Sequence, residues 1–315
     1  MENSDGACCG SDKAYPMKAK PAVPIKGMIK LLIICLMLCV TQNAFCEEEF
    51  LIGLIPEENI FNQMARHRPL AAYLTGKLGT TVKFTILSRY GDVLDKFISR
   101  KMSGAFFGVF TGVLAMEKLD AEPVAHPVNL EGSSTVQSYI FVRKDSGIHS
   151  VGDMRGKKIA FVDKATVTGY LYALSFLRER GVKDLNTYFS DISFTGSHGS
   201  TIYAVLDGRA DVGTAKSKIF QLLVKKDPAI GEELTIIARS GDFHDATLFL
   251  RKDLPKGLRV KIRDILLAMD KDAEGKEVLK KLEAVMFIEA KKDDFKPCYE
   301  VAQKAGIDIR TYRYK

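Results

Sequence analysis

Motifs of the common enzyme classes are missing from this 315-residue sequence. It has no Gly-x-Ser-x-Gly nucleophile turn, no His-Glu-x-x-His zinc signature and no Gly-x4-Gly-Lys-Ser/Thr phosphate loop. Its five histidines are scattered along the chain, so we expect no metal site and no other cofactor. We therefore expect a protein that is not an enzyme and that has no catalytic residue.

Internal repeats, low-complexity tracts and Lys/Arg blocks interleaved with aromatic residues are also missing. The first two absences exclude an array of short repeats and a disordered chain. The third argues against a nucleic acid partner. The composition, with 46% hydrophobic and 27% charged residues, is typical of a globular protein.

The first 46 residues differ from the rest of the chain. Five lysines precede the apolar run at residues 31–40, and Ala44 and Cys46 are small residues placed just before three glutamates. This order is typical of a secretory signal peptide, and a run of about ten apolar residues is too short to span a membrane. We predict cleavage after Cys46 and a periplasmic protein without a lipid anchor. The alternative is a lipoprotein attached through Cys46, although Asn43-Ala44-Phe45 matches poorly the triplet that precedes a lipidated cysteine.

Cysteine would be scarce in the exported chain. Five of the six cysteines lie in the leader, so only Cys298 would remain, and we expect no internal disulfide. The leader also carries +2 of the formal net charge of +7, which leaves +5 on the following 269 residues. A mildly basic exported domain is compatible with a small anionic ligand.

From Phe50 onward, short apolar runs alternate with segments of helical periodicity. We predict strands at 50–55, 82–87, 105–109, 123–127, 137–142, 159–162, 191–194, 211–214, 234–238 and 247–250. We predict helices at 68–78, 91–100, 111–119, 169–180, 200–206, 218–225, 258–269 and 275–282. This alternation predicts an α/β fold with parallel strands and right-handed crossovers.

The order of these elements predicts two α/β lobes, with the second inserted into the first. We assign residues 47–141 and 243–315 to the first lobe, the latter with C-terminal helices, and residues 142–242 to the second. The hinge would lie near 141–143 and 240–243. Ligands of open α/β sheets bind beyond the carboxyl ends of the strands, so we expect a ligand cleft between the lobes.

The most informative segment is the threonine turn, residues 165–169. It connects the predicted strand 159–162 to the predicted helix that begins at Gly169. Free backbone N–H groups and the positive end of the helix dipole would meet at this turn, and the hydroxyls of Thr166 and Thr168 would add donors. The turn therefore suits an anion, although either threonine can instead serve only as a helix N-cap.

Seven segments, one of which overlaps the threonine turn, together resemble a known family in their order and spacing. They are 69–74 (PLAAYL), 146–148 (SGI), 153–163 (DMRGKKIAFVD), 166–170 (TVTGY), 194–198 (FTGSH), 204–212 (AVLDGRADV) and 251–254 (RKDL). The chain resembles the phosphate, phosphite and phosphonate substrate-binding proteins of ABC transporters. The resemblance implies the two-lobed type 2 periplasmic-binding-protein architecture.

The resemblance also implies a function and a set of ligand positions. The function is capture of a phosphorus oxyanion between the lobes and delivery to an ABC permease in the inner membrane, by a protein that we expect to be a monomer. The implied ligand positions are Tyr90, Thr166, Val167, Thr168 and His198. To these we add Gly169, which belongs to the threonine turn, and Lys216, which follows the strand 211–214. Because this position carries a lysine, we expect a compact anion rather than one with an ammonium group.

Alternative roles stay open for three of these residues. Tyr90 is either a phenol that donates to the anion or a hydrophobic staple for the helix after it. His198 is either a ligand donor or a cap for the next helix. Lys216 is either a cation in the cleft or a solvated loop lysine. We cannot assign His244 and Asp245 to the cleft or to the hinge from the sequence.

Two other functions use the same fold. A sensor would present its ligand-loaded form to a membrane histidine kinase. An enzyme would require reactive groups, for which a Thr166–His198 pair is the candidate.

Overall fold

The computed structural model describes residues 49–57, 59–87, 90, 93–99 and 101–314. The predicted signal peptide, residues 1–46, lies outside the described residues. The strands of the described part are β1 (Phe50–Leu54), β2 (Val82–Ile86), β3 (Gly104–Phe107), β4 (Glu122–Asn129), β5 (Thr135–Val136), β6 (Ser138–Arg143), β7 (Lys158–Phe161), β8 (Asp191–Phe194), β9 (Val212–Lys216), β10 (Leu234–Arg239), β11 (Phe243–His244), β12 (Thr247–Leu250) and β13 (Ala284–Glu289).

The helices connect these strands and cover the sheets. They are α1 (Ile60–Leu78), α2 (Val93–Ser99), α3 (Val109–Leu119), α4 (Tyr172–Glu179), α5 (Leu185–Tyr188), α6 (His198–Leu206), α7 (Ser217–Lys226), α8 (Ala229–Glu233), α9 (Lys256–Leu267), α10 (Ala273–Lys281) and α11 (Lys296–Lys304). One turn of π-helix, Val167–Leu171, precedes α4. None of the helices in the described part has the length and apolarity that a membrane crossing requires.

The strands form two large sheets with related topologies. The first has the order β13-β4-β12-β3-β1-β2, and the second has the order β10-β6-β9-β7-β8. In each sheet the second strand from one edge pairs in parallel with both of its neighbours: β1 with β2 and β3, and β7 with β8 and β9. In each sheet the next strand, β12 or β6, runs antiparallel. The α/β fold class is therefore confirmed, with two sheets that each carry three parallel strands at one edge.

The two antiparallel strands mark where the chain passes between the sheets. The strand β6 already belongs to the second sheet, so the first crossing lies just before Ser138, a few residues earlier than the position near 141 that we expected. At the crossings, β5 pairs with β11, with Val136 opposite Phe243 and Thr135 opposite His244. The two connecting segments thus form one short antiparallel ribbon.

Helices lie on both faces of the first sheet. Leu70 and Leu74 of α1, together with Leu266 and Leu279, belong to the buried cluster on one face. The cluster on the other face contains apolar residues of α2, α3 and α11: Leu94, Phe97, Phe110, Val113 and Cys298. Cys298 is a free thiol with no exposed surface, and burial raises its pKa. It contributes to the core as a small apolar side chain.

The prediction for α1 was wrong at its start. The helix begins at Ile60 and not at Arg68, so Pro69 lies inside it. Asn59 is the N-cap, and its side chain accepts hydrogen bonds from the N–H groups of Phe61 and Asn62. The first turns have little apolar periodicity toward the core, since Ile60 is 51% and Phe61 77% exposed. The apolar pattern therefore starts only near Leu70.

Candidate functional site

A small cavity lies where the carboxyl ends of the parallel strands of both sheets meet. Its volume is about 20 Å³, roughly enough for one water molecule. Its walls come from both lobes and from the return segment, residues 243–246, which leads back into the first sheet. The lining residues are Ile55, Tyr90, Gly108, Val109, Phe110, Val136, Ala165, Thr166, Val167, Thr168, His198, Lys216, His244, Asp245 and Ala246. The lobes are thus in a closed arrangement, with the threonine turn facing the first lobe across the cavity.

Backbone donors at the threonine turn are free. The first N–H groups of a helix have no acceptor within it, and those of Val167, Thr168 and Gly169 have none elsewhere in the described part of the chain. The first return hydrogen bond is from Leu171 N to Thr166 O, at 3.0 Å. Since these groups stand at the positive end of the helix dipole, the turn can bind an anion.

Neighbouring strands hold the threonine turn in place. The Ser138 hydroxyl on β6 donates to Thr168 O at 2.7 Å, and the Thr214 hydroxyl on β9 donates to Gly169 O at 2.6 Å. Gly169 must lack a side chain, because a Cβ there would lie 2.5 Å from Val162 Cβ. The turn is therefore fixed by the second lobe before any ligand arrives.

Replacing Thr214 with valine should destabilise the protein by about 1–3 kcal/mol, because the buried Gly169 carbonyl would lose its hydroxyl donor. Urea unfolding measures this change. The matched control is Thr187→Val, which removes a hydroxyl from an exposed position and should cost less than about 0.5 kcal/mol. Equal losses in the two variants would contradict a positioning role for Thr214.

The hydroxyl of Thr166 is hydrogen-bonded within its own turn. It donates to Asp163 O at 2.7 Å, and the Asp163 carboxylate accepts the N–H of Ala165 at 2.8 Å. Thr166 occupies the N-cap position of the π-turn, but its side chain makes no capping bond. We expected both threonine hydroxyls to donate to the anion. In this geometry the Thr166 hydroxyl instead stabilises the turn. The Thr166 hydroxyl also makes no bond to His198.

His198 is the first residue of α6, with 1% of its surface exposed. The helix cap is Ser197, whose side chain accepts the N–H of Ser200, so His198 is not needed as a cap. Its Nδ1 accepts the backbone N–H of Lys216 at 3.1 Å. Burial and the nearby Lys216 charge hold the pKa of His198 well below its usual value. The imidazole is therefore neutral, with its proton on Nε2 as a donor.

Tyr90 supplies an unpaired hydroxyl to the cavity wall. The residue is 2% exposed, and its ring lies edge-on to His198 with 6.2 Å between the ring centroids. Among the described residues, its hydroxyl is the buried side-chain polar atom that has no hydrogen-bond partner. Burial, with the charges of Glu57, Asp163 and Asp245, raises the pKa of Tyr90, so the hydroxyl keeps its proton. A buried donor without an acceptor is costly unless a ligand provides one.

Lys216 belongs to a group of charges, the Lys216 cluster, formed by the buried residues Glu57, Lys216 and Asp245 and the partly exposed Lys218. Its Nζ contacts Glu57 Oε1 and lies 2.9 Å from Asp245 Oδ1, while Lys218 Nζ lies 3.0 Å from Asp245 Oδ2. Lys216 is the last residue of β9 and 4% exposed, so the alternative of a solvated loop lysine is wrong.

The charges in the Lys216 cluster support one another. Burial lowers the pKa of Lys216, but the carboxylates of Asp245 and Glu57 outweigh burial and raise it above its usual value. Burial likewise raises the pKa of Asp245, but Lys216 and Lys218 outweigh it and hold this pKa far below the usual range. Two cations and two anions leave the cluster without net charge.

Glu57 was not predicted as a site residue from the sequence, and Asp245 and His244 were left unassigned. All three lie at the site: Asp245 and His244 line the cavity, and Glu57 contacts Lys216. A positional signal was available for Glu57, which follows the carboxyl end of β1. Its partner is 159 residues away in the sequence, and that pairing has no local signal.

A second polar group lies beside the crossing ribbon. His126, His244 and Asp294 have potential ligand atoms within 4.8 Å of one another. However, His126 already uses both ring nitrogens, with Nε2 at 3.1 Å from Asp294 and Nδ1 at 2.7 Å from Thr247. The group therefore acts as a hydrogen-bonded support for the ribbon.

The family described as "ABC transporter, phosphonate, periplasmic substrate-binding protein" matches residues 52–295. A curated relative, the phosphate-import protein PhnD of Mycolicibacterium smegmatis, is 33% identical over 177 residues, which are 53% of this chain and 55% of that protein. The matched region thus spans about half of the relative's length.

Two solved structures have similar folds. A binding protein component of an ABC phosphonate transporter from Pseudomonas aeruginosa has a TM-score of 0.75 and 22% identity, with coverage of 82% of this chain and 86% of that one. PhnD1 from Prochlorococcus marinus, solved with methylphosphonate, has a TM-score of 0.73 and 21% identity, with coverage of 82% and 99%. These similarities confirm the expected two-lobed periplasmic-binding-protein fold.

Proposed function

Because this chain belongs to the family of periplasmic substrate-binding proteins of phosphonate ABC transporters, we propose that it binds a phosphorus oxyanion in the cavity between its lobes. The ligand class is phosphate, phosphite or a small phosphonate. The protein then delivers its ligand to a permease in the inner membrane, and it works as an exported periplasmic monomer. Members of this family are transport proteins rather than enzymes.

One observation carries this proposal: the buried Tyr90 hydroxyl without a partner lines the same cavity as the threonine turn. An oxyanion placed there would accept hydrogen bonds from Tyr90, from the free N–H groups of Val167 and Thr168, and from His198 Nε2. The amino terminus of α3, which begins after Gly108, adds a second helix dipole from the first lobe.

The donors at the site are neutral, and the Lys216 cluster has no net charge. Affinity would then come from hydrogen bonds to a charged ligand and from helix dipoles, without a formal counter-charge. The cavity of about 20 Å³ implies that the lobes separate slightly to admit a ligand and close around it. The neutral donors and the small volume of the cavity both favour a compact tetrahedral anion.

A ligand panel tests the proposal on the purified exported chain. Phosphate, phosphite, methylphosphonate and sulfate are compared by thermal melting, because a ligand that binds only the folded state raises the melting temperature by mass action. We expect at least one phosphorus oxyanion to raise it and sulfate to act less. A panel without any shift would contradict the proposed function.

Side-chain donors can be tested together. The double variant Thr168→Val with His198→Ala should weaken binding by about 2–4 kcal/mol, since each removes a hydrogen bond to a charged group. The matched control makes the same two changes at exposed positions, Thr187→Val with His149→Ala. Calorimetry should show unchanged affinity for the control, and an unchanged Kd in the site variant would place the ligand elsewhere.

A further inference from the structure

Lys216 is a buried, charged residue in the wall of the cavity. Lys216 is contributed by the second lobe, Glu57 follows β1 in the first lobe, and Asp245 lies on the return segment. The side chains of all three are at most 12% exposed. Two carboxylates this deeply buried require a cation, and Lys216 Nζ is the group that contacts both.

Removing that cation would change what the cavity attracts. Without Lys216, only Lys218 would oppose the two carboxylates, and Lys218, which is not among the residues that line the cavity, contacts Asp245 alone of the two. The wall would then carry a net negative charge and an opening of about the size of a lysine side chain. A negative wall repels a simple oxyanion and attracts a ligand that brings its own ammonium group.

We propose that Lys216 is a built-in counter-ion that sets ligand specificity. It occupies the position between Glu57 and Asp245 that an ammonium group on the ligand would otherwise take, and so restricts the cavity to phosphorus oxyanions without a cationic substituent. This inference rests on the proposed function. An aminoalkylphosphonate would place a further positive charge beside Lys216 with no carboxylate left to pair with it.

The wild-type protein can be tested with a matched pair of ligands. Ethylphosphonate and aminomethylphosphonate have the same number of heavy atoms and differ in a methyl against an ammonium group. We expect calorimetry to show ethylphosphonate binding at least about tenfold more tightly, which corresponds to about 1.4 kcal/mol. Equal affinity for the two would overturn the inference. So would binding of methylphosphonate with no binding of either larger ligand, because the exclusion would then be one of size.

A variant of Lys216 provides a second test of its role in specificity. Lys216→Ala should reverse this preference and should also bind 2-aminoethylphosphonate, whose ammonium can reach the freed carboxylates. Adding Glu57→Gln should remove most of that gain, and Lys225→Ala, which removes an exposed lysine, should keep the wild-type preference. Circular dichroism checks that each variant is folded. A folded Lys216→Ala protein that still prefers ethylphosphonate would contradict the proposal.

The proposed function and the role of Lys216 can be refuted separately. If phosphate, phosphite and methylphosphonate all fail to bind the wild type, the proposed function itself is wrong. If methylphosphonate binds and aminomethylphosphonate binds as tightly as ethylphosphonate, the oxyanion site stands and only the role of Lys216 is refuted. The wild-type comparison does not depend on the stability of any variant.

Discussion

A Tyr90→Phe variant should bind its oxyanion about 10- to 100-fold more weakly, while the ligand-free protein keeps or gains stability. The affinity falls because a hydrogen bond to a charged group contributes about 1.5–3 kcal/mol. The ligand-free protein does not suffer, since the hydroxyl that is removed is buried and has no partner in the described part of the chain. Phenylalanine also keeps the edge-on contact with His198.

Calorimetry and urea unfolding together check this pair of effects. Tyr188→Phe is the matched control, because the Tyr188 hydroxyl donates to Val151 O and neither residue lines the cavity. That change should lower stability by about 1 kcal/mol and leave affinity alone. The two tyrosines should thus give opposite patterns. Reduced stability with normal affinity in Tyr90→Phe would show that its hydroxyl supports the fold rather than the ligand.

An Asp245→Asn variant should lose about 3–5 kcal/mol of stability at neutral pH. The substitution keeps the shape of the side chain but leaves Lys216 with one carboxylate and Lys218 with none from this cluster, and breaking a buried ion pair on one side is costly. Urea unfolding measures the loss. Asp253→Asn, which breaks the exposed pair with Arg251, is the control and should cost less than about 1 kcal/mol.

Acid should erase the difference between the wild type and Asp245→Asn. The folded-state pKa of Asp245 lies far below the unfolded value of about 3.9, so its contribution is fully present above that value. It is lost progressively as the pH falls toward the folded-state pKa. The stability gap should therefore be constant from about pH 7 to pH 5 and shrink below about pH 4. A gap that persists unchanged into strong acid would contradict an ionic origin.

Local patterns were sufficient for much of the fold. The predicted bounds of β8 and β12, 191–194 and 247–250, agree with the structure. β8 alternates polar and apolar residues, and β12 is a short run that is mostly apolar. The helix after the threonine turn was also predicted, although it begins with a π-turn at Val167 and not at Gly169. The passage of the chain from the first sheet to the second and back was predicted from the same order of elements.

Side-chain partners were harder to predict, because they depend on which elements meet in three dimensions. The amides of the threonine turn were expected from local sequence, whereas the direction of the Thr166 hydroxyl depends on the path of the backbone at Asp163. Lys216 was proposed as a site residue, but no spacing rule could place Glu57 and Asp245 on either side of its ammonium. The start of α1 failed because its polar first turns resemble a loop.

The ribbon of β5 and β11 has a mechanical consequence. Both connections between the two sheets are bonded to each other at Val136–Phe243 and Thr135–His244, so neither can bend alone. The ribbon should therefore act as a single hinge. The two lobes would rotate about one axis, and the ribbon would resist sliding or twisting of one lobe against the other. On such a hinge, the cavity would open on the side opposite the ribbon.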